Sequence, residues 1–134
     1  MSGLKKVWSR QKSLLDLTGT DFDCWTDCLN LTAEGWIGAA LVLDVTSLGT
    51  GSKKDSAVRV STYLDHEGGL CPANYEDVPF AKFFVWPMVS VTQLRFTIEN
   101  ARRFKVKVTT SGSDQLIVRL KARRWLYEKL QGTT

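Results

Sequence analysis

Residues 102–125, RRFKVKVTTSGSDQLIVRLKARRW, contain two runs in which apolar and polar side chains alternate. This alternation is typical of a β-strand with one buried side and one solvent-facing side. The residues between the runs, Ser111-Gly112-Ser113-Asp114, are typical of a tight turn. We therefore predict an antiparallel hairpin of strands 103–110 and 115–123. Its outer face carries five cationic side chains: Lys105, Lys107, Arg119, Lys121 and Arg123.

The same alternation recurs along most of the chain, and helical periodicity is scarce. Further candidate strands lie at 14–18, 27–32, 36–48, 57–65, 81–87 and 91–99, between segments rich in Gly, Ser and Pro. Short strands separated by turns predict an all-β fold, a single antiparallel β-sandwich of the jelly-roll type. A small closed barrel is the alternative.

The 134 residues are most simply one domain. We expect the sandwich over residues 14–125, an extended basic N-terminal arm over residues 1–13, and a short C-terminal tail over residues 126–134. The longest strongly apolar run, residues 36–43, is far shorter than the roughly 20 residues of a transmembrane helix. The N-terminus lacks the apolar segment of a signal peptide, and we expect no membrane association.

Charge is strongly polarised along the chain, whose net charge is +4. Residues 1–12 carry four basic and no acidic side chains, and residues 13–100 carry five basic and twelve acidic ones. Residues 101–134 carry nine basic and two acidic side chains. Such polarity can guide self-association or attract an external polyanion.

Catalytic signatures are missing from the sequence. It has one histidine, no Gly-x-Ser-x-Gly elbow and no Gly-rich phosphate loop. A catalytic dyad would need His66 within hydrogen-bonding distance of the Cys71 thiol and a third group, such as Asp65 or Glu67, to orient the histidine. An exposed polar loop is the simpler interpretation of this segment. We expect that the protein is not an enzyme.

Metal sites are also weakly supported. Zinc would need Cys24, Cys28 and Cys71 together with His66, and three cysteines without dense spacing are more typical of reduced thiols from a cytoplasmic compartment. For calcium, Asp65, Glu67, Glu76 and Asp77 are irregularly spaced, so a solvated acidic loop is preferred. We expect no metal and no cofactor.

The cationic outer face has three interpretations. Lysines at a sheet edge prevent strand-to-strand aggregation, phosphate contacts bind nucleic acid, and basic side chains dock on acidic protein. Against nucleic acid, the predicted strands lack aromatic residues among the lysines, and no recognition helix is present. Trp8 in the arm and Trp125 near the tail are either anchors for a partner or a clamp onto the protein's own sandwich.

A resemblance to a known family of proteins bears on these interpretations. The segments LDVTSLGTGSKKDSAVRVSTYLDHEGG and LRFTIENARRFKVKVTTSGSDQLIVRLKARR resemble small β-sandwich proteins of tailed-bacteriophage virions over residues 39–123. The polar loop of the pattern falls on Ser61, Asp65 and Gly68, and its strand pair falls on Phe96-Thr97-Ile98, Arg103-Phe104 and Val106. The resemblance implies a capsid decoration or cement protein, or a neck or tail accessory.

The missing catalytic signatures predict a non-enzymatic protein. The resemblance implies a virion component, made in the host cytoplasm, that docks in many copies as a homo-oligomer or symmetric array on major capsid or neck and tail proteins. A nucleic-acid-binding domain is the alternative. The candidate partner-binding residues are Lys5, Lys6, Trp8, Arg10, Arg102, Arg103, Lys105, Lys107, Arg119, Lys121, Arg123, Arg124 and Trp125.

Overall fold

The computed structural model of the chain describes residues 3–50, 56–65, 70–72, 81–85 and 91–129. Within these ranges it forms eleven strands and one 3-10 turn, Thr32–Glu34. The strands are β1 Leu4–Trp8, β2 Lys12–Gly19, β3 Asp23–Trp25, β4 Leu29–Asn30, β5 Gly38–Ser47, β6 Ser56–Asp65, β7 Leu70–Pro72, β8 Ala81–Val85, β9 Thr92–Glu99, β10 Arg103–Ser111 and β11 Leu116–Lys129. The described residues contain no helix that is long and apolar enough to cross a membrane.

The strands form two antiparallel sheets that pack face to face, which confirms the predicted sandwich. Sheet A has the order β1-β11-β5-β9, and β2 also pairs with β11. Sheet B has the order β3-β10-β6-β7, with β4 also beside β10 and β8 beside β6. The side chains that face the other sheet are those that the alternation predicts, and they form one apolar core.

The predicted hairpin of β10 and β11 is wrong. β10 pairs with β6 along nine residues in sheet B, whereas β11 pairs with β5 along ten residues in sheet A. The turn between them carries the chain across the sandwich: the Leu48 amide donates to the Gln115 carbonyl at 2.8 Å, and Ser47 Oγ donates to Asp114 at 3.2 Å. Alternation predicts which side chains are buried, but it does not predict which strands are neighbours.

The five cationic side chains of the predicted hairpin therefore lie on opposite sides of the molecule. Lys105 and Lys107 alternate with buried Val106 and Val108 and face outward from sheet B. The others, Arg119, Lys121 and Arg123, alternate with buried residues of β11 and face outward from sheet A.

Parts of the predicted arm and tail belong to sheet A. β1 pairs with the end of β11, from Leu4 opposite Lys129 to Trp8 opposite Trp125. Residues 4–8 and 126–129 are thus paired strands, because β1 follows β2 along the edge of β11 that is opposite to β5 and supplies hydrogen-bond partners for the backbone of β11 there.

Trp125 lies on the outer side of sheet A but is only 3% exposed. Its indole covers Gly38, its partner in β5, and a Cβ at position 38 would lie 2.5 Å from the indole and 2.8 Å from the Ile98 carbonyl oxygen. The absence of a side chain at Gly38 is what allows the indole to approach the sheet this closely.

We predict that Gly38→Ala destabilises the fold by about 1–3 kcal/mol, because the added methyl group displaces the indole or the backbone of β9. Urea unfolding, followed by circular dichroism, measures the change. Ala40→Ser, two residues along the same face of β5, is the control and should change the midpoint little. Equal stability of Gly38→Ala and the wild type would contradict the packing of Trp125 on Gly38.

Candidate functional site on the sandwich faces

The outer side of sheet A contains a shallow groove of about 390 Å³ that follows β5. Its floor is formed by the small side chains of Ala40 and Val42. Longer side chains of the flanking strands β9 and β11 form its walls, together with Gln11 from the connection between β1 and β2. The whole lining consists of Gln11, Ala40, Leu41, Val42, Arg95, Phe96, Thr97, Lys121 and Arg123.

Strand register places the wall residues in two rungs, that is, two rows of paired residues that run across β9, β5 and β11. Val42 lies opposite Arg95 of β9 on one side and opposite Lys121 of β11 on the other. Ala40 in the same way lies between Thr97 and Arg123. The groove is therefore a strip of small side chains with cationic groups on both sides, a pattern that arises only when three strands distant in sequence are assembled.

The cations of the groove have no carboxylate partner among the described residues. The four ion pairs within those ranges involve none of Arg95, Lys121 and Arg123. Arg95 Nε donates to Gln93 at 2.7 Å, and the Arg123 guanidinium lies 4.2 Å from the centre of the Trp8 ring. Arg95 and Arg123 are thus held by uncharged groups, and the three cations of the groove are not neutralised by an ion pair within the described ranges.

The predicted aromatic anchors contact each other beside the groove. The rings of Trp8 and Trp125 are 5.5 Å apart, and Lys6 Nζ lies 4.7 Å from the first and 4.4 Å from the second. Each cation–π contact of this kind contributes about 0.5–1 kcal/mol at an exposed site. Of the two open interpretations of these tryptophans, the clamp onto the protein's own sandwich is the one that this packing matches.

A second cluster lies on the outer side of sheet B. Trp25, which is 41% exposed, lies 4.6 Å from the Tyr63 ring, and Lys105 Nζ lies 4.0 Å from the Trp25 ring centre. Lys107 Nζ is 5.2 Å from the same ring and 3.4 Å from an Asp23 carboxylate oxygen. Sequence reasoning missed this cluster because β3 has only three residues and its pairing with β10 is remote in sequence.

Arg103 forms an internal ion pair. Its Nε lies 2.6 Å from Oδ2 of Asp65, which is 2% exposed at the end of β6. The hydrogen bond to Asp65, together with the attraction of that carboxylate, raises the pKa of Arg103 above its ordinary value. The neighbouring Arg102 is exposed, and its backbone amide donates to the Asp65 carbonyl.

Two other predicted site residues also form internal contacts. Arg124 donates to the Asn30 carbonyl at 3.0 Å and to Glu34 at 3.1 Å. The hydrogen bond from Asn30 and the Arg124 charge lower the pKa of Glu34.

Arg119 lies 3.3 Å from Asp16 across the β2–β11 pair. Lys5 and Arg10 are exposed.

The metal and dyad hypotheses fall partly outside the described residues. His66, Glu67, Glu76 and Asp77 are not among them, so the dyad and the calcium loop are not tested. Cys24 is a half-buried free thiol and Cys28 an exposed one. Within the described ranges, no three His, Cys, Asp or Glu residues are grouped so that they could hold a metal ion.

No protein-family model matches the chain, and no curated protein matches it. Among solved structures, the chain is similar to a Bacillus endospore appendage protein from a family of disulfide-linked pili, with a TM-score of 0.40 and 14% identity over 92% of this chain and 87% of that one. It is also similar to part of the CBM22-1–GH10 modules of Clostridium thermocellum endo-1,4-β-D-xylanase 10B in complex with xylohexaose. That match has a TM-score of 0.48 and 11% identity, and it covers 95% of this chain but only 27% of the xylanase chain. Likenesses this distant carry no argument about function, and neither protein is described as a phage component.

We predict that Arg103→Gln lowers the urea midpoint at neutral pH, because it removes the positive charge 2.6 Å from the buried Asp65 carboxylate. Arg102→Gln removes the same charge at the adjacent exposed position and should change stability by less than about 0.5 kcal/mol. Equal midpoints for the two variants would show that the Arg103–Asp65 pair does not contribute to the fold.

Proposed function

We propose that the protein is a non-enzymatic structural component of a tailed-phage virion that attaches in many copies to a capsid or to a neck or tail lattice. The phage assignment rests on the resemblance of residues 39–123 to virion sandwich proteins. The mode of attachment rests on one observation, the cation-lined groove of sheet A.

The groove supports docking on acidic protein for an electrostatic reason. Complementary charge across an interface speeds encounter, fixes register and disfavours wrong partners. Arg95, Lys121 and Arg123 supply positive charge without a carboxylate neighbour among the described residues, so an acidic partner gains attraction without first breaking an ion pair.

The terminal strands favour attachment through a face rather than through an arm. Residues 4–8 are paired with β11, and Trp8 packs on Trp125. Releasing this strand would break backbone hydrogen bonds and expose the indole of Trp125. Repetition on a symmetric lattice then multiplies modest face contacts into stable attachment.

A second candidate, single-stranded nucleic-acid binding, is favoured by the cluster on sheet B. The argument that the cationic strands lack aromatic residues does not hold for this face, because Trp25 and Tyr63 come from the strands on either side of β10. An exposed indole beside two lysines offers base stacking together with phosphate contact.

The proposed function is tested by adding the purified protein to phage particles that lack it and measuring co-sedimentation. We expect Arg95→Ser/Lys121→Ser, which removes one rung of cations, to weaken attachment by about tenfold or more, since one buried charge contact accounts for that factor. Lys105→Ser/Lys107→Ser removes the same charge from sheet B and should attach like the wild type. Absence of the protein from wild-type particles, or equal losses in both variants, would contradict the proposal.

The second candidate is tested by fluorescence anisotropy of a labelled thymidine oligonucleotide, titrated from about 50 to 200 mM salt. If the sheet B cluster binds single strands, affinity falls steeply with salt, and Trp25→Ala weakens it by about 1–3 kcal/mol through lost stacking. No binding at the lowest salt, or the same affinity for Trp25→Ala, rejects this candidate.

A further inference from the structure

We infer that the groove of sheet A binds an extended acidic peptide segment whose carboxylates are two residues apart. The inference deepens the proposed docking role and rests on it for the biological partner. The peptide chemistry itself can be measured on the isolated protein.

The shape of the groove fits one extended strand. Its walls stand on β9 and β11, two strand spacings apart, which is about 9–10 Å. Ala40 and Val42 rise little above β5 between them, and the groove of about 390 Å³ lies between Gly38, which the Trp125 indole covers, and Asp44, the next outward residue of β5. A helix, with a diameter of about 10–12 Å including its side chains, is too wide to reach this floor.

The spacing of the cations selects the register of the ligand. Lys121 and Arg123 point from the same side of β11 and are two residues apart, which corresponds to roughly 6.8 Å along the strand. In an extended peptide, side chains two residues apart also share a side and have the same repeat. Alternating Glu or Asp residues therefore meet Lys121 and Arg123 together, whereas consecutive ones point to opposite sides.

The opposite wall adds a third charge and a hydroxyl. Arg95 stands across the floor from Lys121, and its guanidinium is oriented by the 2.7 Å hydrogen bond to Gln93, which in turn donates to Asp44 at 2.8 Å. An oriented guanidinium forms paired hydrogen bonds with a carboxylate. Thr97 stands across from Arg123, so the ligand residues that face β9 meet one cationic and one neutral polar group.

A peptide fits the floor better than a nucleic acid does. Single strands of nucleic acid gain much of their affinity from bases stacked on aromatic rings. The groove floor offers only methyl groups, and Trp8, the aromatic ring that contacts the wall residue Arg123, is already occupied by Trp125 and Lys6. A peptide needs no stacking partner on the floor: its backbone packs over these methyl groups, and the small side chains between its carboxylates face β9.

The test compares two capped peptides of identical composition, the alternating peptide Gly-Thr-Glu-Thr-Glu-Thr-Gly and Gly-Glu-Thr-Thr-Glu-Thr-Gly, whose two Glu residues are three apart and point to opposite sides. Their affinities are measured by isothermal titration calorimetry at about 50 mM salt, where screening is weak. We expect the alternating peptide to bind about fivefold tighter or more, because only it places its carboxylates on one side at the spacing of Lys121 and Arg123. Equal affinities would overturn the inference.

Two variants separate charge from shape. Lys121→Ser should weaken the alternating peptide about fivefold or more, whereas Lys105→Ser on sheet B leaves it unchanged. Ala40→Leu keeps every charge but fills the floor, and it should abolish the preference for the alternating peptide while circular dichroism and the unfolding midpoint remain those of a folded protein. Undiminished preference in Ala40→Leu would place the peptide outside the groove.

A thymidine oligonucleotide is the competing probe. If it displaces the alternating peptide and its affinity falls in Lys121→Ser, the groove is a phosphate site and the inference is wrong. Selective peptide binding without attachment to phage particles would retain the groove chemistry and reject the virion role. Attachment to particles without peptide selectivity would support the virion role and reject the inference about the peptide.

Discussion

The passage of the chain from sheet B to sheet A between Ser111 and Leu116 is the constraint on which the rest of the structure depends. Asp114 of this turn contacts Gly49, where any Cβ would collide with its carboxylate, and accepts a hydrogen bond from Ser47. The turn is thereby held against the end of β5, and β11 begins beside that strand. Because β10 and β11 lie in different sheets, their apolar sides meet across the core and their cationic sides face away from each other.

This arrangement changes the electrostatics of residues 102–125. As a hairpin, the segment would have opposed like charges on neighbouring strands, which is destabilising. In the sandwich, each group of cations has its own surroundings: Lys105 and Lys107 lie over Trp25, and Arg119 pairs with Asp16. The groove is where neighbouring strands provide small side chains instead of carboxylates. Its charge thus remains available to a partner, which links the crossover to the proposed docking role.

The sequence predicts the layers of this fold well and their connections poorly, for physical reasons. Burial along β5, from Ala39 to Val45, follows from period-two alternation, since every second side chain must face the same way. Neither the crossover nor the pairing of β1 with β11 leaves such a local signal, because both depend on strands more than 60 residues apart in the chain. The same holds for the candidate sites. The cationic residues are evident in the sequence, but the floor of Ala40 and Val42 and the position of Trp25 exist only after the strands have paired.

Backbone nuclear Overhauser effects in the isotopically labelled protein test the crossover most directly. The structure predicts contacts between Val108 and Val60 and between Val118 and Val45, which are paired residues of sheets B and A, and no backbone contacts between residues 103–110 and 116–123. Cross-strand contacts between those two segments would mean that they form a hairpin with all five cations on one face. The division of charge between the sheets, and with it the groove as the docking site, would then be wrong.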